Sequence, residues 1–163
     1  MMYGAAVSTI GTSHKRGGMP LQDRSSFFAD PGYSVLVVSD GAGSAAQAEK
    51  GASELVEVVS LTLRALGAAG RPLSRDLFRE TLIRAIFDAR ERLASHGAPL
   101  SDFHATLVCA LVTPNESFIG HIGDGLVLLF FNSKSQPDHC SIVISPPENG
   151  DSANETYFFT QED

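Results

Sequence analysis

The stretch Y-S-V-L-V-V-S-D-G-A-G-S-A-A-Q-A-E-K-G-A, residues 33–52, decides the fold. From Tyr33 to Val38 only Ser34 interrupts an apolar, β-branched-rich run, which predicts a strand buried on both faces that delivers Asp40 at its end. Gly41 and Gly43 allow a tight turn in which a ligand can approach main-chain carbonyls. Ser44 reads as the N-cap of a following helix, with Gln47 as its capping-box partner. Taken alone, an Asp-Gly pair is most simply an ordinary strand-turn-helix junction. A phosphate cradle of the P-loop kind is disfavoured, because no G-x-x-x-x-G-K-[ST] occurs and the glycines follow an acid instead of leading to a lysine. A carboxylate beside an exposed carbonyl suits a hard divalent cation, so the stretch predicts a metal site built on Asp40 and the Gly41 carbonyl.

Upstream, residues 2–13 alternate small and apolar positions and predict a first strand, closing at the polar loop H-K-R-G-G-M-P of residues 14–20. Leu21, Gln22 and Asp23 lead into S-S-F-F-A-D, a second strand, and Asp30-Pro31-Gly32 is a turn before the central strand. An antiparallel hairpin follows, with Asp23 and Asp40 at the same end of it. Downstream, apolar residues at 52, 55, 56, 59, 63 and 66 follow a helical period from Ser44 to about Leu66, and Gly67 to Pro72 breaks it. Ser74 opens a second helix with apolar positions 78, 82, 85, 86, 89 and 93, ending near Gly97. The two are expected as an antiparallel pair lying on a sheet. Residues 103–112, 117–123, 126–131 and 140–145 then read as strands of an antiparallel meander, and Y-F-F-T near the end begins another.

At 163 residues the chain is one domain by length, and 43% hydrophobic with 19% charged residues is a globular composition. No apolar run approaches the ~18 residues of a membrane span, and the N-terminus lacks a basic region ahead of an apolar one, so a cytoplasmic protein is the default expectation. A net charge of −7 argues against a nucleic-acid partner or an anionic membrane surface, which call for clustered Lys and Arg. Cys109 and Cys140, each inside an apolar run and without C-x-x-C spacing, read as buried reduced thiols.

Three stretches, in this order, resemble the metal-dependent protein phosphatases of the protein phosphatase 2C family, especially its bacterial members. They are G-T-S-H-K-R-G-G-M-P-L-Q-D, then V-V-S-D-G-A-G-S followed by Glu49, then A-T-L-V-C-A-L-V with H-I-G-D-G after it. The tail P-E-N-G-D-S-A-N-E-T-Y-F-F-T is similar to one bacterial branch. The resemblance implies an α+β fold, an antiparallel two-sheet β-sandwich flanked by helix pairs in α-β-β-α order, with two Mn²⁺ or Mg²⁺ ions at one end. It implies Asp23 and Asp40 as metal ligands, Gly41 as a carbonyl ligand and Asp124 beside a third, looser ion. Such ions lower the pKa of a bridging water, so hydroxide attacks a phosphoserine or phosphothreonine of a protein substrate with no protein nucleophile.

The chain departs from the family pattern at several places. Where the family carries its phosphate-binding arginine, five residues before the first aspartate, this chain has Gly18; Arg16, with Lys15 beside it, is the nearest substitute. Ala42 stands where some relatives carry a histidine general acid, His104 and Ala105 replace glycine and threonine, and Gly125 and Leu126 replace S-R. Two further aspartates of the family, in a later Asp-Gly pair and a final D-N, have no match in Asp138, Asp151 or Asp163. Residues 1–163 are therefore expected to be the N-terminal and central part of a phosphatase domain, incomplete at the C-terminus, with weakened metal affinity and with uncovered sheet edges that promote self-association. Against the enzyme stand a non-catalytic phosphatase-like module that binds a phosphoprotein through Lys15 and Arg16, and a small metal- or nucleotide-binding domain of another fold.

Overall fold

The hairpin predicted around Asp30-Pro31-Gly32 is present: β1 (Arg24–Asp30) pairs antiparallel with β2 (Tyr33–Ser39). The structure, a computed structural model, describes residues 3–133, 136–148 and 156–161. Arg24 lies opposite Ser39 in the register, so Asp23 and Asp40 leave the hairpin at the same end. Strand β2 is buried along most of its length, with Val35 and Val37 fully enclosed and Val38 49% exposed.

Helix α2 (Ala48–Ala68) crosses this sheet and helix α3 (Arg75–Ala94) lies beside it. All six apolar positions predicted for α2 are buried, and five of the six for α3, with Ile86 half-buried. Ser74 caps α3, accepting the Leu77 N–H at 3.2 Å. Helix α2 corrects the expected start: it begins four residues after Ser44, its N-cap is Gln47, and no side chain caps it. Gln47 is occupied otherwise, since its Oε1 accepts from Lys50 Nζ at 2.7 Å while residues 43–47 form turns.

A 3₁₀ turn (Leu100–Phe103) precedes β3 (Leu107–Val112), which joins the sheet on the far side of β2, and β4 (Ser117–Ile122) completes the order β1-β2-β3-β4, antiparallel throughout. The core forms where Leu55, Val59 and Leu63 of α2 and Leu82, Ala85 and Ala89 of α3 share one cluster with Val35 and Val37 of β2 and Leu107, Cys109 and Leu111 of β3. Each large apolar side chain enclosed there contributes about 1.5–3 kcal/mol. A second antiparallel sheet consists of β5 (Val127–Ser133) and β6 (Gln136–Ser145), the latter longer than expected. The His121 Nδ1 to Ser145 Oγ hydrogen bond, 2.7 Å, ties it to β4.

The N-terminal expectation fails. Residues 3–11 form no strand, and the predicted loop carries a short helix, α1 (Thr12–Gly17). The segment does run against β1, through Ser8 Oγ to Ser25 Oγ at 3.0 Å and Gly4 against the Phe27 ring, but its small residues have little strand propensity. Gly18, in the left-handed region at φ 65°, ends α1, and Met19 N–H closes the cap on the His14 carbonyl at 2.9 Å. The final Y-F-F-T is likewise not a strand: Thr156 makes an isolated bridge and residues 158–161 form a turn, closed by the Gln161 N–H on the Phe158 carbonyl at 3.1 Å. Cys109 is buried as expected. The Cys140 side chain, Asp151 and Asp163 lie outside the described residues, as does the side chain of Asp138.

Candidate active site

Asp40 is fixed by its backbone before its carboxyl does anything. The Asp40 carbonyl accepts the Thr106 N–H at 2.8 Å, the Asp40 N–H is held by Thr106 Oγ1 at 3.1 Å, and the neighbouring Ser39 hydroxyl donates to the Thr106 carbonyl at 2.7 Å. Next along, Ala42 N–H donates to the His104 carbonyl at 2.9 Å, and Gly41 pairs with Ala105 between these two bonds. In an antiparallel pair flanked in this way, the middle residue turns its own N–H and C=O outward. Among the described residues the Gly41 carbonyl accepts no hydrogen bond, and the residue lines a cavity of about 370 Å³. Helix α2 begins hard against it: a Cβ on Gly41 would lie 2.8 Å from the Ala48 carbonyl oxygen, so no side chain fits.

The same cavity is lined by Asp23 and Asp40, by Gln22 and Gly43, and by Thr9 and His14 on the N-terminal side. Partial burial pushes the Asp40 carboxyl up to about 6, reinforced by a hydrogen bond to Asp23 and by the negative charges of Asp23 and Asp124. Two carboxyl groups within hydrogen-bonding reach share a proton when no cation separates them. Asp124, exposed just after β4, is not part of the lining but is near enough for its charge to act on Asp40.

Of the residues singled out by sequence, Asp23, Asp40 and Gly41 thus converge on one cavity and Asp124 stands at its margin. Lys15 and Arg16 do not line it; both are exposed on α1, whereas their neighbour His14 is half-buried and does. Gln22, in the sequence only the middle letter of L-Q-D, carries no local signal of a site residue. It is 4% exposed, and its Oε1 has no hydrogen-bond partner among the described residues. An unpartnered buried amide oxygen costs about 1–3 kcal/mol unless something in the cavity satisfies it.

These groups suit a hard divalent cation: two carboxylates, a spare carbonyl and a buried amide oxygen, all oxygen. Among the described residues no three His, Cys, Asp or Glu side chains form a metal cage by themselves. An ion here would depend on the Gly41 carbonyl, Gln22 Oε1 and water beside the carboxylate pair. Among the described residues no cysteine lines the cavity, and burial pushes the Cys109 thiol up to about 12, keeping it protonated inside β3.

The family model described as Protein phosphatase 2C matches residues 10–163. Serine/threonine-protein phosphatase 3 of Escherichia coli (strain K12) is 30% identical over 96% of this chain, which spans 62% of that relative's length. Probable protein phosphatase 1N of Homo sapiens is 35% identical over 61% of this chain and 22% of its own. In fold, the chain is similar to the crystal structure of serine-threonine phosphatase 2C from Toxoplasma gondii, with a TM-score of 0.58 at 13% identity, over 80% of this chain and 46% of that one. The antiparallel sheets, the helix pair on one of them and the match along nearly the whole sequence agree: this chain belongs to the protein phosphatase 2C family.

Proposed function

We propose that this chain carries the metal-binding part of a Mn²⁺- or Mg²⁺-dependent phosphatase that hydrolyses phosphoserine and phosphothreonine in proteins. The observation that carries the reading is the Asp23–Asp40 pair, two carboxyls lining one polar cavity beside the outward-facing Gly41 carbonyl. Such a pair is unfavourable at neutral pH without a cation and favourable with one. A divalent cation bound there would polarise phosphoryl oxygens and make water acidic enough to act as the nucleophile near pH 7.

The chain's own residues do the rest. Asp23 and Asp40 supply the negative charge, and the two Thr106 hydrogen bonds keep Asp40 from turning away. Gln22 Oε1, buried and without a partner among the described residues, would add a neutral oxygen beside the carboxylates. His14, in the same cavity, donates to a phosphoryl oxygen. Lys15 and Arg16, exposed on α1, draw in the phosphorylated segment, Arg16 with paired N–H donors suited to phosphate. Asp124 adds negative charge at the margin, where it would help to hold a further, weaker cation.

Hydrolysis of p-nitrophenyl phosphate and of a phosphothreonine peptide, each titrated with Mn²⁺, tests the proposal. The expected result is turnover that EDTA abolishes and that Asp40→Asn reduces at least ~100-fold, as for an interaction made in the transition state. Metal-independent turnover, or none at saturating Mn²⁺, would overturn it. The exposure of Lys15 and Arg16 outside the cavity favours a second reading, a phosphoprotein-binding module without turnover. Peptide binding without hydrolysis would select it.

A further inference from the structure

The segment Y-F-F-T-Q, residues 157–161, has no role in the site described so far, yet it touches residues 104 and 105, which pair with the turn after Asp40, and Gly123, the residue before Asp124. Phe159 N–H donates to the Ala105 carbonyl at 3.1 Å, and Ala105 is the residue paired with Gly41. Thr160 Oγ1 lies 2.6 Å from His104 Nδ1, and the His104 ring stacks on Phe158 at 4.8 Å between centroids and 12° between planes. His104 is the residue whose carbonyl holds Ala42. The Tyr157 carbonyl lies against Gly123, immediately before Asp124, so close that a Cβ on Gly123 would be 2.9 Å from it. From α3, Arg90 Nη1 secures the segment by donating to the Phe159 and Gln161 carbonyls at 3.3 and 3.0 Å.

We infer that residues 157–161 are a clasp that positions Asp40, and Asp124 beside it, with Thr160 and Arg90 as its positioning residues. The inference rests on reading the Asp23–Asp40 cavity as a metal site. Phe159 and Thr160 are each 3% exposed, so the clasp is anchored in the interior and not laid over it. Asp40 and Asp23 repel one another whenever both are ionised and no cation is bound, and the Gly41-Ala42-Gly43 turn beside them is intrinsically yielding. Something rigid must keep residues 40–42 against residues 104–106, and the clasp binds residues 104 and 105 from the other side. Groups that orient metal ligands without touching the ion commonly govern affinity by about 10–100-fold.

The test uses the full 163-residue chain, Mn²⁺ as the probe and three variants: Thr160→Val, which keeps the shape but loses the hydroxyl, Thr160→Ser, which restores it, and Arg90→Gln. Calorimetric Mn²⁺ affinity and amide exchange at Ala42 in the metal-free chain are read well below each unfolding midpoint. Thr160→Val and Arg90→Gln are expected to weaken Mn²⁺ binding about tenfold or more and to speed Ala42 exchange, and Thr160→Ser to stay within about twofold of the original chain. If Thr160→Val fails to fold, Arg90→Gln, at the surface end of the clasp, carries the same expectation. A variant that lowers only the melting temperature, with affinity and Ala42 exchange unchanged, would make the clasp a merely structural element and overturn the inference. Failure of the unsubstituted chain to bind Mn²⁺ would overturn the metal reading and this inference with it, and is told apart by needing no variant.

Discussion

Asp40 and Thr106 hold each other twice, the Thr106 N–H on the Asp40 carbonyl at 2.8 Å and the Asp40 N–H on Thr106 Oγ1 at 3.1 Å. Only the second bond depends on a side chain. Thr106→Val should therefore leave the Asp40 N–H without its acceptor, cost about 1–2 kcal/mol of stability and loosen the carboxylate that follows. Thr106→Ser keeps the hydroxyl and should restore Mn²⁺ affinity while losing only a methyl contact. Chemical denaturation and calorimetry on the two variants check this, and equal Mn²⁺ affinity in both would separate the hydroxyl from the site.

The Asp40 carboxyl, pushed up to about 6 from an ordinary 3.8, gives the metal-free chain a stability that falls as pH rises. Between those two values the folded chain binds a proton that the unfolded chain has already lost, so the native state is favoured at the acid side of the window and loses that advantage as pH passes 6. Asp40 is open to solvent on one side, and screening reduces the effect to about 1 kcal/mol. Asp40→Asn should then raise the metal-free melting temperature by about 2–4 °C at pH 7.5 and leave it nearly unchanged at pH 4. Saturating Mn²⁺ should reverse the order at pH 7.5. A stability gain that persists at pH 4 would show that the Asp23–Asp40 repulsion is not its source.

The hairpin and the helix pair were legible in the sequence because burial there follows a local period. Tyr33–Ser39 reads as a strand, and Leu55, Val59 and Leu63 as a helix face, from spacing alone. The placement of Asp23 with Asp40 followed from the Asp30-Pro31-Gly32 turn, since a hairpin returns its two ends together. What failed were features set by tertiary contacts. The 3–11 segment lies on β1 without joining its ladder, and Gln47 is diverted to Lys50 instead of completing a capping box with Ser44. His14, one of several histidines open to recruitment by residue type alone, and Gln22 were not marked as cavity residues by any local pattern, because what brings them beside Asp40 is the tertiary packing of residues 9–23 against the end of the hairpin.

That placement divides the work of α1. With His14 lining the cavity and Arg16 exposed outside it, His14→Ala should weaken inorganic phosphate binding in the presence of Mn²⁺ about tenfold, as for loss of a hydrogen bond to a charged partner. Arg16→Ala should raise the KM for a phosphopeptide a few-fold at low salt, an effect that fades near ~0.5 M salt as the charge is screened. Phosphate binding lost in Arg16→Ala and kept in His14→Ala would return the anchoring role to the arginine.

The β5–β6 ribbon sets the last expectation. Leu128, Leu129 and Phe130 on β5 and Ile142, Val143 and Ile144 on β6 are each 42–65% exposed. Leu128 pairs with Val143 and Leu129 with Ile142, and successive residues of a strand face opposite ways, so both faces of the ribbon are apolar. An antiparallel sheet that meets water ordinarily turns a polar face to it, and a two-stranded ribbon is marginally stable alone. The 163-residue chain should therefore self-associate, with a light-scattering mass that climbs with concentration in the micromolar range. Leu128→Lys combined with Val143→Glu puts an opposite-charge pair across the ribbon on one face and should shift the population towards monomer without altering Mn²⁺ affinity, because neither residue lines the cavity of Asp23 and Asp40. A monomer at all concentrations in the unsubstituted chain would mean that the ribbon's apolar faces are not what meets a second copy.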